Sequence, residues 1–255
     1  MSTSRLSFLR TVRAALPARV ITVTTLAFAL AAAPGVATAA PATANTVPAA
    51  SVLADNPISL WGGYVVSGKE GDFDSVSAEW TEPEVTCNST DDAFARWVGL
   101  DGWNGETVEQ QGVAVQCATG TPVHRLWWEM FPDHVQFQDT AKWPIQAGDH
   151  MLSWTSYEGD NQYRLLVGNL SRGWEFVTVQ TLAAKNASAE AVIESGTGSY
   201  PQFDSVGFTD VYVNGKAIST YGPLAVDAGA NGIRQARTEP LKENGTDFDI
   251  TFVHE

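Results

Sequence analysis

Hydrophobic and polar residues alternate along many short stretches of the chain, which is the spacing of a β-strand with one buried face. Turn residues separate these stretches, and the pair Asn214-Gly215 is typical of a two-residue hairpin. After residue 58 no segment shows a long apolar period of 3.6 residues. The pattern predicts an all-β, antiparallel chain that folds as a sandwich or a barrel. Strands are predicted at residues 61–66, 73–80, 126–131, 150–157, 163–167 and 174–180, and around Phe248, Ile250 and Phe252.

A hairpin predicted in the middle of the chain combines this alternation with polar side chains. Val98 and Leu100 form one face of its first strand, and the opposite face carries Trp97 and Asp101. A turn rich in Gly and Asn then reverses the chain. The second strand can therefore place Gln110 beside Trp97 and Asp101, on a face that we expect to be a site and not a core.

A second stretch, residues 189–194, predicts a strand with two carboxylates on one face. Glu190 and Glu194 share that face with Val192, while the alanines and Ile193 point inward. Indoles and carboxylates thus collect on the polar faces of otherwise apolar strands, which predicts a concave substrate groove. The side chains on these faces are Trp97, Asp101, Gln110, Trp127, Glu129 and Glu194.

The N-terminus has the pattern of a secretory signal peptide over residues 1–39. Arginines precede an apolar run at residues 20–33, and residues 37–39 (Ala-Thr-Ala) match a small-residue cleavage site. An uncleaved anchor is the alternative, but the run is shorter than the ~20 residues of a spanning helix. We expect a secreted, extracellular protein with an Ala/Pro/Thr-rich linker or short propeptide at residues 40–55 and a β domain at residues 56–255.

Charge narrows the possible partners. Removing the predicted leader takes away four arginines and leaves 11 basic against 29 acidic residues, a net charge of −18. So acidic a surface repels nucleic acid and anionic membranes. We therefore expect neither as a partner once the signal is cleaved, and we expect a monomer.

The two cysteines, Cys87 and Cys117, lie on either side of the predicted central hairpin. Oxidation is the normal state in an exported protein, so we predict one disulfide between them. Closing this loop would stabilise the fold by roughly 3–4 kcal/mol in the chain-entropy model. A pair of free buried thiols is the alternative.

Several common catalytic chemistries find no support in the sequence. The four histidines (His124, His134, His150 and His254) lack metal-ligand spacing, and neither the nucleophile motif Gly-x-Ser-x-Gly nor a phosphate-binding Gly loop occurs. We therefore expect no metal and no cofactor.

Six short motifs, in order and without large gaps, together resemble the glutamic peptidases, the eqolisin or G1 family, over about residues 56–255. They are Trp61-Gly62-Gly63, Gly71-Asp72-Phe73-Asp74-Ser75-Val76-Ser77-Ala78, Trp97-Val98-Gly99-Leu100-Asp101-Gly102, Gln110-Gln111-Gly112, Trp128-Glu129-Met130-Phe131-Pro132 and Ala189-Glu190-Ala191-Val192-Ile193-Glu194.

The resemblance implies a concanavalin-like sandwich of two antiparallel sheets of about seven strands, with the active site on the concave face. It also implies an acid endopeptidase with a Gln and Glu dyad acting on protein or peptide substrates. The family's Gln-x-Gly motif matches Gln110, with Gln111 at the variable position, and the last Glu of its second motif matches Glu194. The substrate-binding residues predicted around this dyad are Trp61, Asp72, Trp97, Asp101, Trp127, Glu129 and Glu190.

The residue types suit such chemistry. An ionised Glu194 can take a proton from water and later return it to the leaving amine, and Gln110 can donate an N–H to the oxyanion. Like-charge repulsion from Glu129 and Asp101 is expected to raise the pKa of Glu194. These groups predict a bell-shaped activity profile at roughly pH 3–5.

Two other functions remain open from the sequence. The first is a jelly-roll glycoside hydrolase with Glu129 and Glu194 about 5 Å apart. The second is a carbohydrate-binding sandwich without catalysis, in which the same tryptophans stack on sugar rings.

Overall fold

A computed structural model gives the fold of the protein and describes residues 55–254. The predicted signal peptide (residues 1–39) and all but the last residue of the predicted linker or propeptide (residues 40–55) lie outside the described residues.

Sixteen strands and one short 3-10 helix, Ile218–Tyr221, make up the described chain. No helix in residues 55–254 is long and apolar enough to cross a membrane. The strands are β1 (Ile58–Ser59), β2 (Trp61–Ser67), β3 (Ser75–Thr81), β4 (Ala93–Asp101), β5 (Val108–Gln116), β6 (Val123–Phe131), β7 (Gln136–Phe137), β8 (His150–Gly159), β9 (Gln162–Asn169), β10 (Trp174–Thr181), β11 (Ser188–Glu194), β12 (Ser205–Val213), β13 (Lys216–Ala217), β14 (Leu224–Ala230), β15 (Ile233–Thr238) and β16 (Phe248–Phe252).

The strands form two layers of seven that pack face to face, which confirms the predicted antiparallel sandwich. The first layer, the groove sheet, has the order β14-β2-β11-β4-β5-β6-β7, and the second, the back sheet, has the order β10-β9-β8-β3-β12-β16-β15. A β14–β15 pairing joins the two layers at one edge. Of the two remaining strands, β13 pairs with β12, and β1 pairs with β14 as the parallel exception.

The main core lies between the two sheets, where β4 and β5 face β8 and β9. The alternation predicted from the sequence places Val98 and Leu100 of β4 in this core together with Leu165 and Val167 of β9. Each such side chain is fully buried, and burial of one stabilises the fold by about 1.5–3 kcal/mol relative to exposure.

The opposite face of the groove sheet carries a second, smaller apolar cluster. Trp97, Trp127 and Val192 belong to it, with Trp61 and Trp103 packed against them. The sequence predicted a site and not a core on this face. The structure corrects only the second part of that prediction, since the tryptophan side chains build a local core under the groove.

The predicted disulfide is confirmed, since Cys87 and Cys117 are bonded, with their Cα atoms 5.6 Å apart. The bridge closes a loop that contains all of β4 and β5. It therefore ties together the two ends of the central hairpin.

Strands β14 and β15 were not predicted. For β12 the sequence indicated only the Asn214-Gly215 hairpin, which is confirmed as the connection to β13. In β12 the pairing with β3 shifts between Thr209 and Tyr212, and Asp210 there has a φ of 51°. This bulge changes the parity of the inward residues from Val206 and Phe208 to Val211 and Val213. The period of two therefore breaks in the middle of the strand, which hides it from pattern analysis.

Candidate active site

Gln110 lies at the centre of the groove sheet, opposite Gly99 of β4 and Glu129 of β6. Its side-chain Nε2 donates a hydrogen bond of 2.7 Å to Oε2 of Glu129. The carbonyl Oε1 of Gln110 is buried and accepts no hydrogen bond from the described part of the chain. The Glu129 carboxyl therefore orients the amide, and a second N–H and the carbonyl are left for another molecule.

Gln111, the neighbouring glutamine, points into the main core. Its Nε2 donates to Ser153 Oγ at 2.8 Å, and its Oε1 accepts from Thr155 Oγ1 at 2.8 Å. Both ends of this amide are thus bonded within the protein. Successive residues of a strand point to opposite faces of the sheet, so of these two glutamines only Gln110 faces the groove.

Glu194 ends β11, where it pairs with Trp61 on one side and Ala95 on the other. Its pKa is raised to about 7, mainly because the carboxyl is buried. The nearby charge of Glu129 adds to the increase, and a contact with the Trp61 indole N–H opposes it. The sequence named like-charge repulsion as the cause, but removal from water is the larger effect.

The Glu129 carboxyl is half-buried, and its pKa is also raised by burial, while the hydrogen bond from Gln110 lowers it. Glu129 and Glu194 thus form a pair of neighbouring carboxyls that both bind a proton more tightly than free glutamate. Such a pair titrates in two steps that belong to both groups together.

Two cavities, of about 330 and 550 Å³, meet at this pair, and Glu129 and Glu194 line both of them. Their remaining lining is almost entirely uncharged. The smaller cavity is lined by Ala93, Phe94, Ala95, Ala114, Gln116, Trp127, Val135, Phe137, Gly196 and Thr197. The larger is lined by Ser59, Leu60, Trp61, Gly102, Trp103, Asn104, Gly105, Val108, Gln110 and Phe131.

The predicted tryptophans occupy different levels of the groove. Trp61 and Trp127 line the cavities, whereas Trp97 is fully buried and meets Trp61 edge-on, with ring centroids 4.9 Å apart. A side chain at Gly99 would come within 2.9 Å of the Trp97 ring, so the glycine makes room for it. Trp97 therefore supports the floor beneath Trp61 and does not reach the groove surface.

Asp101 does not line the groove, in contrast to its predicted role. Its backbone has a φ of 62°, in the left-handed region, where strand alternation no longer sets the direction of the side chain. The carboxylate accepts the backbone N–H groups of Lys185, Asn186 and Ala187. It holds the segment that leads into β11.

Two further predicted substrate-binding residues also lie away from the cavities. Glu190 is completely buried, although it shares a face with Glu194, and neither cavity reaches it. Asp72 is exposed in the loop after β2, at the opposite end of that strand from Trp61, where it accepts the backbone N–H of Lys69. Neither belongs to the groove.

Sequence reasoning missed several groove residues. Trp103 and Phe137 line the cavities, but they lie in a turn and in a two-residue strand, where no alternation marks them. Phe131 ends β6 on the face of Trp127 and Glu129, and it was not named as a site residue. Tyr200 is buried near Glu194, whose charge adds to the effect of burial in raising the pKa of the tyrosine. The available signal was the tryptophan at position 103, because it lies inside the Gly- and Asn-rich turn at residues 102–105.

No group of three or more His, Cys, Asp or Glu side chains suited to a metal ion occurs in residues 55–254. The groove chemistry described here involves two carboxyls and one amide. These groups can accept and return a proton and can donate a hydrogen bond to a developing negative charge.

Comparison with solved structures finds the same fold. Scytalido-glutamic peptidase with a peptide-based transition state analogue matches with a TM-score of 0.63 at 23% identity, covering 76% of this chain and 98% of that one. SCP-B, an eqolisin in complex with the tripeptide Ala-Ile-His, matches with a TM-score of 0.59 at 22% identity and the same coverage. Aspergilloglutamic peptidase from Aspergillus niger matches with a TM-score of 0.54 at 21% identity, covering 64% and 99%.

The sequence itself matches the model of the peptidase A4 family over residues 59–246, while no curated protein sequence matches the chain. The matched region contains every strand from β2 to β15 and all the groove residues at the junction of the two cavities. The chain therefore belongs to the peptidase A4 family, the glutamic peptidases or eqolisins, and is a glutamic-type endopeptidase.

Proposed function

We propose that the protein hydrolyses peptide bonds with Glu194 as the general base and acid and Gln110 as the oxyanion donor. The observation that carries this proposal is that Gln110, Glu129 and Glu194 line one cavity, in which the buried Gln110 carbonyl has no hydrogen-bond partner from the described chain. Bound peptide ligands in SCP-B and scytalido-glutamic peptidase support a peptide as the substrate.

Water is the nucleophile in this mechanism. The Glu194 carboxylate takes a proton from a water molecule as the water oxygen bonds to the peptide carbonyl carbon. The Gln110 carbonyl accepts a hydrogen bond from that water and orients it, and its free N–H donates to the oxyanion. The C–N bond then breaks as Glu194 returns the proton to the leaving amine.

Glu129 positions Gln110 by accepting one of its N–H groups. Without that contact the amide could rotate and present its carbonyl to the oxyanion, which would repel it. Glu129 also affects the protonation of Glu194, because its negative charge raises the pKa of that carboxyl.

The active form of the carboxyl pair carries one proton and one negative charge, and the proton lies on Glu129 when the Glu194 carboxylate accepts a proton from water. With the pKa of Glu194 raised to about 7, the second proton leaves the pair near neutrality. Activity should therefore fall above about pH 7, because two adjacent carboxylates repel the negative charge that develops on the oxyanion. It should also fall below about pH 4, where the base becomes protonated. This window is wider on the alkaline side than the pH 3–5 expected from the sequence.

The test is a rate profile from pH 2 to 8 on a denatured protein, with a β-glucan and a xylan in parallel. We expect peptide products, a bell-shaped profile with its maximum between about pH 4 and 6, and intact polysaccharides. A maximum at or above pH 6.5 contradicts the carboxyl pair. Cleavage of a polysaccharide and not of protein would replace the peptidase proposal with a glycosidase.

We also propose that the protein acts outside the cell. A disulfide between Cys87 and Cys117 supports this site of action, because such bonds persist in oxidising compartments. N-terminal sequencing of protein from culture medium should give a start between residues 40 and 56. Recovery of the full-length chain from the cell interior would overturn this proposal.

A further inference from the structure

Three buried carboxyl groups lie near the start of β11, close enough for the charge of Asp101 to act on the other two. Asp101 lies at their centre and accepts three backbone N–H groups, from Lys185 at 3.0 Å, Asn186 at 2.7 Å and Ala187 at 2.7 Å. These residues lead directly into β11, which ends at Glu194. Asp101 therefore fixes the entry of the strand that carries the catalytic glutamate.

Glu190 belongs to the same group and is completely buried within the groove sheet, between Val65 and Gly99. One carboxyl oxygen accepts a hydrogen bond of 2.5 Å from Ser188 Oγ, and the other has no partner in residues 55–254. Burial raises the pKa of Glu190 well above its usual value, against the Ser188 hydrogen bond, and the charge of Asp101 raises it further.

Glu109 is the third member and directly precedes Gln110 in β5. It is completely buried, and neither of its oxygens makes a hydrogen bond of standard geometry to the described chain. Burial, followed by the charge of Asp101 and a contact between the two carboxyl groups, raises its pKa to about 9. We call Asp101, Glu109 and Glu190 the carboxyl cluster.

Within residues 55–254, the groups that shift the pKa values of Glu109 and Glu190 include no positive charge. Tyr163 of β9 faces it, and burial and the charges of Glu109 and Asp101 raise the pKa of that phenol. Tyr163 donates a hydrogen bond of 2.6 Å to Asn186, and the charge of Tyr157 on β8 also acts on it. Lys185 contributes its backbone N–H to Asp101, but its own side chain is exposed.

We propose that the carboxyl cluster positions both catalytic strands, β5 and β11, and does so only while Glu109 and Glu190 each hold a proton. This inference rests on the catalytic roles proposed for Gln110 and Glu194. Glu109 is adjacent to Gln110, and Glu190 lies four residues before Glu194 on the same face. If both protons were lost, the cluster would hold three buried negative charges. We expect their mutual repulsion to move β5 and β11 apart and to release residues 185–187 from Asp101.

The sign of the pH effect follows from proton linkage. Glu109 and Glu190 bind protons more tightly in the folded protein than in the unfolded chain, where carboxyls titrate near pH 4. Between that pH and about 9, the unfolded chain therefore binds fewer protons than the folded one, and stability falls as pH rises. The cluster favours the fold in acid and opposes it at neutral to alkaline pH.

The first experiment compares the intact protein with Glu109→Gln and with the double variant Glu109→Gln/Glu190→Gln. Melting temperatures are measured from pH 4 to 9, and the rate of activity loss is measured at pH 8.5 by assaying samples at the acid optimum. We expect the wild-type melting temperature to fall with pH, and the fall to be at least halved in the variants. Inactivation at pH 8.5 should be at least about tenfold slower.

The matched control is Glu175→Gln, which changes an exposed glutamate on β10 and should follow the wild type at every pH. Asp101→Asn tests positioning separately, because it weakens the hold on residues 185–187 without touching the groove. We expect about a tenfold lower kcat with little change in KM. Equal pH slopes in the wild type and both Gln variants would overturn the proposal.

Hydrogen exchange on the wild type gives an answer even if the variants do not fold. The amides of residues 185–187 should be protected at pH 5 and should lose at least about tenfold in protection by pH 8.5, relative to amides of β9. Constant protection would overturn the proposal. If the wild type cleaves no peptide at any pH, the peptidase mechanism fails, but the melting and exchange data still decide whether the cluster acts as described.

Discussion

The two faces of the groove sheet use identical side chains in opposite ways. Gln110 and Gln111 are neighbours in β5, yet the amide of Gln111 is fully bonded to Ser153 and Thr155, whereas that of Gln110 keeps one N–H and its carbonyl free. A satisfied buried amide stabilises the protein, and an incompletely satisfied one at a groove is available to a substrate. The face on which a glutamine lies, and not its chemistry, therefore decides its role.

The same contrast runs along the groove face itself. Glu194 and Glu190 both point to that face of β11, but Glu194 reaches two cavities and Glu190 reaches none. The strand thus presents an open end, where proton exchange with substrate is possible, and a closed end, where a carboxyl can only hold its proton. Four variants test this division between catalysis and stability.

The largest effect is expected for Glu194→Gln. The amide keeps the size of the side chain but cannot take a proton from water, so the rate on a denatured protein should fall by about 10⁴-fold. The melting temperature should stay near that of the wild type, because Glu194 is half-buried at the open end. Full residual activity in a folded variant would remove Glu194 from the mechanism.

Gln110→Ala removes the proposed oxyanion donor. We expect kcat to fall by about 10²–10³-fold, the range for losing one such donor. Glu129 also loses its hydrogen bond, so the pH profile should shift as well. The measurement is kcat and KM across pH, and a change in KM alone would indicate that Gln110 only binds substrate.

Removing the disulfide should lower the stability of the whole fold without a selective effect on the groove. The double variant Cys87→Ala/Cys117→Ala opens a loop with a sequence separation of 30 and should lose roughly 3–4 kcal/mol of unfolding free energy in urea. The folded fraction should retain wild-type kcat. A selective loss of kcat, with stability preserved, would mean that the bridge shapes the groove directly.

Gln111→Ala is the matched partner of Gln110→Ala and should affect catalysis far less. Two buried hydroxyls, on Ser153 and Thr155, lose their partner, which costs about 1–3 kcal/mol in stability. Below the melting temperature kcat should stay within a few-fold of wild type. A greater catalytic loss in this variant than in Gln110→Ala would exchange the roles of the two glutamines.

Much of the groove sheet was predictable because, along its central strands, side chains that face the core alternate strictly with side chains that face the groove. The parity of β4, β5 and β11 correctly separated Gln110 from Gln111 and placed Val98 and Ile193 in the main core. The disulfide was also predictable, since two cysteines in a chain that is expected to be exported leave one pairing.

The features that the sequence did not predict depend on local backbone geometry and on contacts between residues far apart in the sequence. The positive φ of Asp101 turns its carboxylate away from the groove, and alternation cannot indicate such a turn. Glu190 has the same sequence pattern as Glu194, yet it is completely buried and only Glu194 lines the cavities. The bulge at Asp210 hid β12 for a related reason, because one residue outside the regular strand conformation reverses the parity of all that follow.

The hydrogen bond between Tyr163 and Asn186 has a consequence for the choice of an expression host. Asn186 begins an Asn-Ala-Ser glycosylation sequon, and Asn169 begins an Asn-Leu-Ser sequon. Both asparagines are buried and their side chains bonded, Asn186 to Tyr163 and Asn169 to Asp149. A sugar added at either position in a eukaryotic secretory pathway could not be accommodated, so the native fold requires both sites to stay unmodified. Asn88 and Asn244 are exposed and could carry a glycan on the surface.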